Sequence, residues 1–413
     1  MSDVLERFLR YVQVDSQSDP ENADVTPSTP TQHDMARMLE HELELLGLED
    51  VERDEHAYVT ASLPATPSAR TLPAVGLTAH MDTSSAVPAS NVKPHIVRYE
   101  GGDLVVGEVD GKPVAVRPED CPDLEHLVGQ DIVCSDGTTL LSADDKAGIA
   151  IIMALVAKLK DARDVEHPTI KVAFVPDEEI GHGASLLELH DFGATWAYTL
   201  DGGRLGEVSY ETFNAAEAKV MVHGNNVHPG YAKDIMVNAA TVWREFDALL
   251  PQDERPEHTE GREGYFHCTG VAGNESELKA NYILRDFDKG GMARRKQVML
   301  EAAAQLNERY GAGTVDVSLR DEYENMAEAM HDCMFLVENA IEANREAGVE
   351  PIEKLTRGGT DGAQLTMRGL PCPNLAACGF NFHSVREFVP VAAMEKQVEV
   401  LERLVQKFAV PQR

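Results

Sequence analysis

Apolar residues Val4, Leu5, Phe8, Leu9 and Val12 recur at three- and four-residue steps over 2–13. That is the stripe of an amphipathic helix. A polar, proline-containing stretch over 15–30 follows, then a second predicted helix over 31–46, stopped by Gly47. The mostly apolar run 72–79 predicts a strand that ends in His80. Residues 96–116 predict a hairpin, with Glu100-Gly101-Gly102 and Asp110-Gly111 as turn signals. Residues 146–160 have the pattern of a buried helix, and 169–175 and 196–200 that of strands. This alternation predicts an α/β fold with a mainly parallel sheet flanked by helices.

After Gly206 the pattern changes. Strands are expected over 207–222, 265–285 and 314–319, and helices over 238–250 and 292–310. Together they make a compact β-α-β-β-α-β unit. A helix over 327–347 and another over 391–408 close the chain. A chain of 413 residues is also too long for one ordinary core. We therefore expect a discontinuous domain over 1–206 and 322–413, with a smaller α+β domain over 207–321 inserted in it as a lid.

Charge and cysteine usage narrow the partners. The net charge of −33 disfavours nucleic acid and anionic membrane, both polyanions. The longest apolar run, 147–159, is too short to span a bilayer, and the N-terminus has no secretory pattern. None of Cys121, Cys134, Cys268, Cys333, Cys372 and Cys378 forms a Cys-x-x-Cys pair, so neither a disulfide framework nor a thiolate zinc site is suggested. A cytoplasmic protein is expected.

Five segments carry metal-ligand chemistry: Thr78-Ala79-His80-Met81-Asp82, Ser142-Ala143-Asp144-Asp145-Lys146, Pro176-Asp177-Glu178-Glu179, Leu200-Asp201-Gly202-Gly203 and Asn381-Phe382-His383-Ser384. Alone, each has a plainer explanation. Asp144 and Asp145 suit a helix N-terminus without any metal, and Glu178-Glu179 suits a solvated turn. Together, most of them fall at the carboxyl ends of predicted strands, the edge where open α/β sheets bind ligands. We expect His80 and Asp201 on one metal, Glu179 and His383 on another, and Asp144 shared. Asp82 would orient His80, and Glu178 would serve as general base and acid. Imidazoles and carboxylates without thiolate suit two Zn²⁺, with Co²⁺ or Mn²⁺ able to substitute.

These segments, with Val222-His223-Gly224-Asn225-Asn226-Val227-His228-Pro229-Gly230, Leu284-Arg285-Asp286-Phe287-Asp288 and Leu355-Thr356-Arg357-Gly358-Gly359-Thr360-Asp361-Gly362, give the chain a resemblance over essentially its whole length. It resembles the co-catalytic zinc peptidases of the aminoacylase/carboxypeptidase G family, and within them the tripeptide aminopeptidases. Ser142 stands where that branch is expected to carry glycine. The resemblance implies release of the N-terminal residue from tripeptides. It implies substrate contacts from His228, Asn281, Arg285 and Arg357, the two arginines pairing with the peptide's carboxylate. It implies a small peptide as substrate, admits a homodimer formed through the lid, and allows a cis bond after Asp144. Dipeptidases, carboxypeptidases and N-acyl amino acid deacylases share the constellation, and a non-catalytic binding protein would be expected to lack some of it.

Overall fold

The computed structural model describes residues 1–162 and 164–412. The chain divides into two units: Met1–Tyr210, Ala329–Lys354 and Thr360–Arg413 form one, Glu211–Glu328 and Leu355–Gly359 the other.

The first unit is built on an eight-stranded sheet. Its order is Glu49–Arg53, Val59–Leu63, Ile170–Val175, Val75–His80, Trp196–Gly202, Asn374–Ala376, Glu207–Ser209 and Ile352–Glu353. The central four strands, from Ile170–Val175 to Asn374–Ala376, run parallel. The outer pairings on the Val59–Leu63 side and between Asn374–Ala376 and Glu207–Ser209 are antiparallel. Val75–His80 is buried along its whole length, as a parallel strand covered on both faces must be. The helix Ala143–Asp161 packs against it. Ile149, Ile151, Ile152 and Leu155 of that helix are fully buried, which explains a pattern apolar on nearly every side.

A second, three-stranded sheet in this unit pairs Phe388–Pro390 with Asp131–Cys134, and Asp131–Cys134 with His95–Arg98. Here the expected 96–116 hairpin is corrected. The hairpin joins Leu104–Val109 to Lys112–Val116 through Asp110-Gly111, while His95–Arg98 pairs elsewhere. Period-2 patterning identifies strands but not which edge each one finds.

The other unit is an antiparallel sheet of order Tyr265–Gly273, Glu277–Asp286, Asn214–His223 and Val315–Tyr323. Ala239–Leu249 and Lys289–Tyr310 cover one face, enclosing Val220, Phe246, Tyr282, Leu284, Met299 and Leu306. Each such buried side chain contributes about 1.5–3 kcal/mol. The helix expected over 327–347 is divided into Ala327–Met330 and Phe335–Glu346 by a turn of tighter helix, His331–Cys333.

Candidate metal centre

The four parallel central strands deliver their carboxyl ends to one edge. His80 closes its strand there, and Asp201 lies near the end of Trp196–Gly202. Glu178 and Glu179 follow Ile170–Val175 in a short turn, and the loop carrying His383 follows Asn374–Ala376. Asp144 arrives from the head of the Ala143–Asp161 helix, ahead of its regular part: Asp144 and Asp145 have non-helical backbones and are joined by a cis peptide bond.

Asp144 is the centre of the cluster. Its Oδ1 lies 3.0 Å from His80 Nε2 and its Oδ2 lies 3.2 Å from His383 Nε2. Asp201 Oδ1 is 3.7 Å from the same His80 nitrogen, and Glu179 Oε1 is 2.9 Å from the same His383 nitrogen. Two ligand sets, His80 with Asp201 and His383 with Glu179, therefore meet on opposite oxygens of one carboxylate. Glu179 Oε1 is buried and has no hydrogen bond of acceptable geometry, its short approach to His383 notwithstanding. Two buried carboxylates that share one imidazole nitrogen carry negative charge that a further cation would complete. Acids also outnumber bases: Asp82, Asp144, Asp145, Glu178, Glu179, Asp201 and Asp361 surround two imidazoles. The donor set and its charge fit divalent metal ions.

The electrostatics follow from that crowding. Asp144 is held below the usual carboxylate range, since hydrogen bonds from His383 and His80 outweigh its burial. His383 is pushed up to about 10 by Asp144 and Glu179. His80 rises against its burial because Asp144, Asp201 and Asp82 favour its charged form. Glu178 is raised well above the ordinary range by burial and by the Asp201 charge. Burial lifts Asp201 to about 6.

The neighbouring residues set these positions. His80 Nδ1 lies 3.3 Å from Asp82 Oδ1 and 3.1 Å from the Asp82 carbonyl, which leaves Nε2 facing the cluster. The Asp82 carboxylate also accepts the amides of Glu178 and Glu179, at 2.9 and 3.2 Å, so it fixes the acidic turn as well. Asp177, in the left-handed region at φ 58°, accepts from the Ser28 amide and hydroxyl and from Gln32. The ligand atoms converge on His80 in two trios, one with Asp144 and Glu179 and one with Asp145 and Asp201. The oxygens of Asp145, however, accept the His80 and Gly148 amides, each at 3.2 Å, whereas those of Asp144 face only imidazoles.

Three residues were not singled out by sequence reasoning. Glu387 accepts the amides of Leu141, Ser142 and Asp144 and is 1% exposed. Lys146, fully buried, donates to the Val14 carbonyl, and burial lowers it to about 7. Asp361, lifted to about 7 by burial, accepts the Ala184 amide and lies so near Gly183 that a β-carbon there would come within 1.8 Å of its oxygen. The Gly-Gly-Thr-Asp-Gly run offered a signal for Asp361. Nothing in the sequence marks Glu387 apart from any acid ahead of a short strand.

The remaining candidates lie in the other unit. His228 is exposed; its Nδ1 accepts the Gly230 amide and its ring lies 5.3 Å from that of Tyr231. Asn281 keeps a buried side-chain oxygen without a partner. Arg285 pairs with Glu322 at 3.2 Å and lies over the Tyr323 ring. Arg357 departs from the free carboxylate-binding fork expected of it. Its guanidinium donates to the carbonyls of Gly261, Glu263 and Thr259 and to the Thr259 hydroxyl, over the rings of Phe213 and Tyr265.

Comparison with known proteins finds relatives over nearly the whole chain. The family model described as Peptidase family M20/M25/M40 matches residues 142–407. A protein named Peptidase T from Alkaliphilus oremlandii is 45% identical over 411 residues, covering 99% of this chain and 100% of the relative. Peptidase T of Parabacteroides distasonis is 46% identical over 403 residues, 98% of each chain. Among solved structures, an aminopeptidase from Bacillus cereus superposes with a TM-score of 0.76 at 24% identity, covering 99% of this chain and 98% of that one. A Bacillus subtilis structure described as a dinuclear metal-binding peptidase gives 0.66 at 13% identity, covering 98% and 97%; at these identities the likeness is one of fold.

Proposed function

The chain belongs to peptidase family M20/M25/M40, in its peptidase T group, and on that premise we propose that it is a metal-dependent aminopeptidase that releases the N-terminal residue of tripeptides. The observation that carries the metal-dependent part is Asp144, whose two oxygens face two separate imidazole–carboxylate sets. His80 and Asp201 would hold one ion, His383 and Glu179 the other, and Asp144 both. Two Zn²⁺, for which Co²⁺ or Mn²⁺ could stand in, would lower the pKa of a shared water and polarise the scissile carbonyl.

Glu178 handles the proton. Its raised affinity for one, caused by burial and Asp201, suits a group that must take a proton from the attacking water and return it to the leaving amine. Asp82 keeps the His80 ring and the Glu178–Glu179 turn in one frame. The Glu211–Glu328 unit is the proposed substrate-binding lid. In it, His228 would donate to the developing oxyanion and Asn281 would offer its unpartnered oxygen to the peptide. Arg285 would pair with the substrate's terminal carboxylate. Arg357 would join it there by exchanging the bonds that its terminal nitrogens now make to the 259–263 loop.

A matched panel of Ala-Ala, Ala-Ala-Ala, Ala-Ala-Ala-Ala and N-acetyl-Ala, with chelator and with added Zn²⁺, tests the reading. Alanine release from the tripeptide alone, abolished by chelator and restored by metal, is expected. Preferred cleavage of the dipeptide or the acyl amino acid would keep the metal centre and overturn the tripeptidase assignment.

A further inference from the structure

Glu387 is a buried acid that forms no ion pair within 4.0 Å among the described residues. Its Oε2 accepts the Leu141 and Ser142 amides at 2.7 and 2.8 Å, and its Oε1 accepts the Asp144 amide at 2.9 Å. All three contacts are N–H donors, so both oxygens act as acceptors. It grips the backbone of the segment that ends in the shared ligand. Ser142 in that segment is held at φ 68°, a left-handed conformation that residues with a side chain disfavour. A three-amide clamp is the kind of restraint that keeps such a segment in place.

The other end of Glu387 is equally fixed. Phe388 pairs with Cys134 at the start of the strand Phe388–Pro390. Phe380 and Phe388 exchange backbone hydrogen bonds of 2.9 and 3.1 Å, and their rings stack 4.9 Å apart. These two residues close the base of a loop whose tip is His383, itself at φ 60°. One short segment thus presents a ligand of one imidazole–carboxylate set and clamps the backbone of the ligand common to both.

We propose that Glu387 is a positioning residue that couples the His383 loop to Asp144 and so sets the affinity of the paired metal site. The inference rests on the two-metal reading above. Glu387→Gln removes one acceptor and places an amide donor against an N–H donor, while preserving shape.

The test loads full-length wild type and Glu387→Gln with Mn²⁺, measuring bound equivalents by calorimetry and pairing by electron paramagnetic resonance. Wild type is expected to bind two equivalents with an exchange-coupled signal. Glu387→Gln is expected to lose the coupled signal and bind the second equivalent about 10–100-fold more weakly, the usual size of such a second-tier effect. Glu42→Gln controls for lost stability alone. Glu42 is a partly buried carboxylate accepting from Arg7, Arg10 and Tyr11, and its variant should retain the wild-type signal. Two tight equivalents and a coupled signal in Glu387→Gln would overturn the inference. Fewer than two equivalents in wild type would instead overturn the two-metal reading. Should Glu387→Gln fail to fold, amide exchange of metal-free wild type decides. Protection at Leu141, Ser142 and Asp144 without metal supports the clamp, and protection that appears only with metal refutes it.

Discussion

Two charged clusters in this molecule, one buried and one half-exposed, are built on opposite plans. Around Asp144, acids crowd against too few bases, and Glu179 and Asp144 share one nitrogen of His383. Around Arg357, one cation is saturated: carbonyls of Thr259, Gly261 and Glu263 take its protons, and the rings of Phe213 and Tyr265 take its faces. The difference teaches that readiness for a ligand shows as imbalance. A cluster whose charge and hydrogen bonds close on themselves holds a fold together; one that does not close is arranged for something else.

The largest expected effect tests the open cluster. Glu178→Gln should lower kcat on a tripeptide by about 10²–10⁴-fold while leaving bound metal unchanged. Near-parental turnover would remove Glu178 from proton transfer. The same variant should behave oppositely in stability. Glu178 has a raised native pKa, so in the native state its ionised form is disfavoured, and that cost accrues as pH rises above the ordinary value of 4.5. In chelator, Glu178→Gln should therefore gain stability over the parent as pH rises through neutrality and show no gain well below pH 4.5, measured by denaturant unfolding across pH.

Metal removal comes next. Chelation should lower the melting temperature, since an ion held at 1,000 times its Kd adds about 4 kcal/mol. His383→Ala should lose one metal equivalent by elemental analysis; full metal content would break its assignment. The closed cluster predicts a different outcome. Arg357→Ala should destabilise the protein by about 0.5–1.5 kcal/mol, by loosening the 259–263 loop, and leave bound metal untouched. If it raises KM steeply at unchanged stability, Arg357 serves the substrate alone and the contrast fails. The smallest effect sits at Ser142, which combines φ 68° with a buried hydroxyl lacking a partner. Ser142→Gly should stabilise by about 1 kcal/mol, relief of strain exceeding the added freedom of the unfolded chain. A loss of stability would mean the hydroxyl has a role.

Legibility in the sequence followed the range of the interactions. Local periodicity was enough for the parallel core, because strands such as Val75–His80 carry their burial in their own composition. It was not enough for the pairing of His95–Arg98, which depends on a strand more than thirty residues away. The ligand candidates were visible because histidine and paired acids after apolar runs are conspicuous. Glu387 was invisible because its chemistry lies in backbone amides 243 to 246 positions earlier, and amides have no signature in a sequence. Arg357 was conspicuous, but the carbonyls it bonds are equally anonymous.

The assignment of Leu355–Gly359 to the same unit as Glu211–Glu328 has a consequence for how this architecture can be taken apart. The second unit is not a contiguous cassette. A gene fragment ending at 328 would encode the sheet and both its helices, yet leave the 259–263 loop without its guanidinium. Excision, grafting or exchange of this module between relatives must carry a second, five-residue piece along with it. That requirement makes recombination at the obvious boundary unproductive and helps keep the two halves of the chain travelling together.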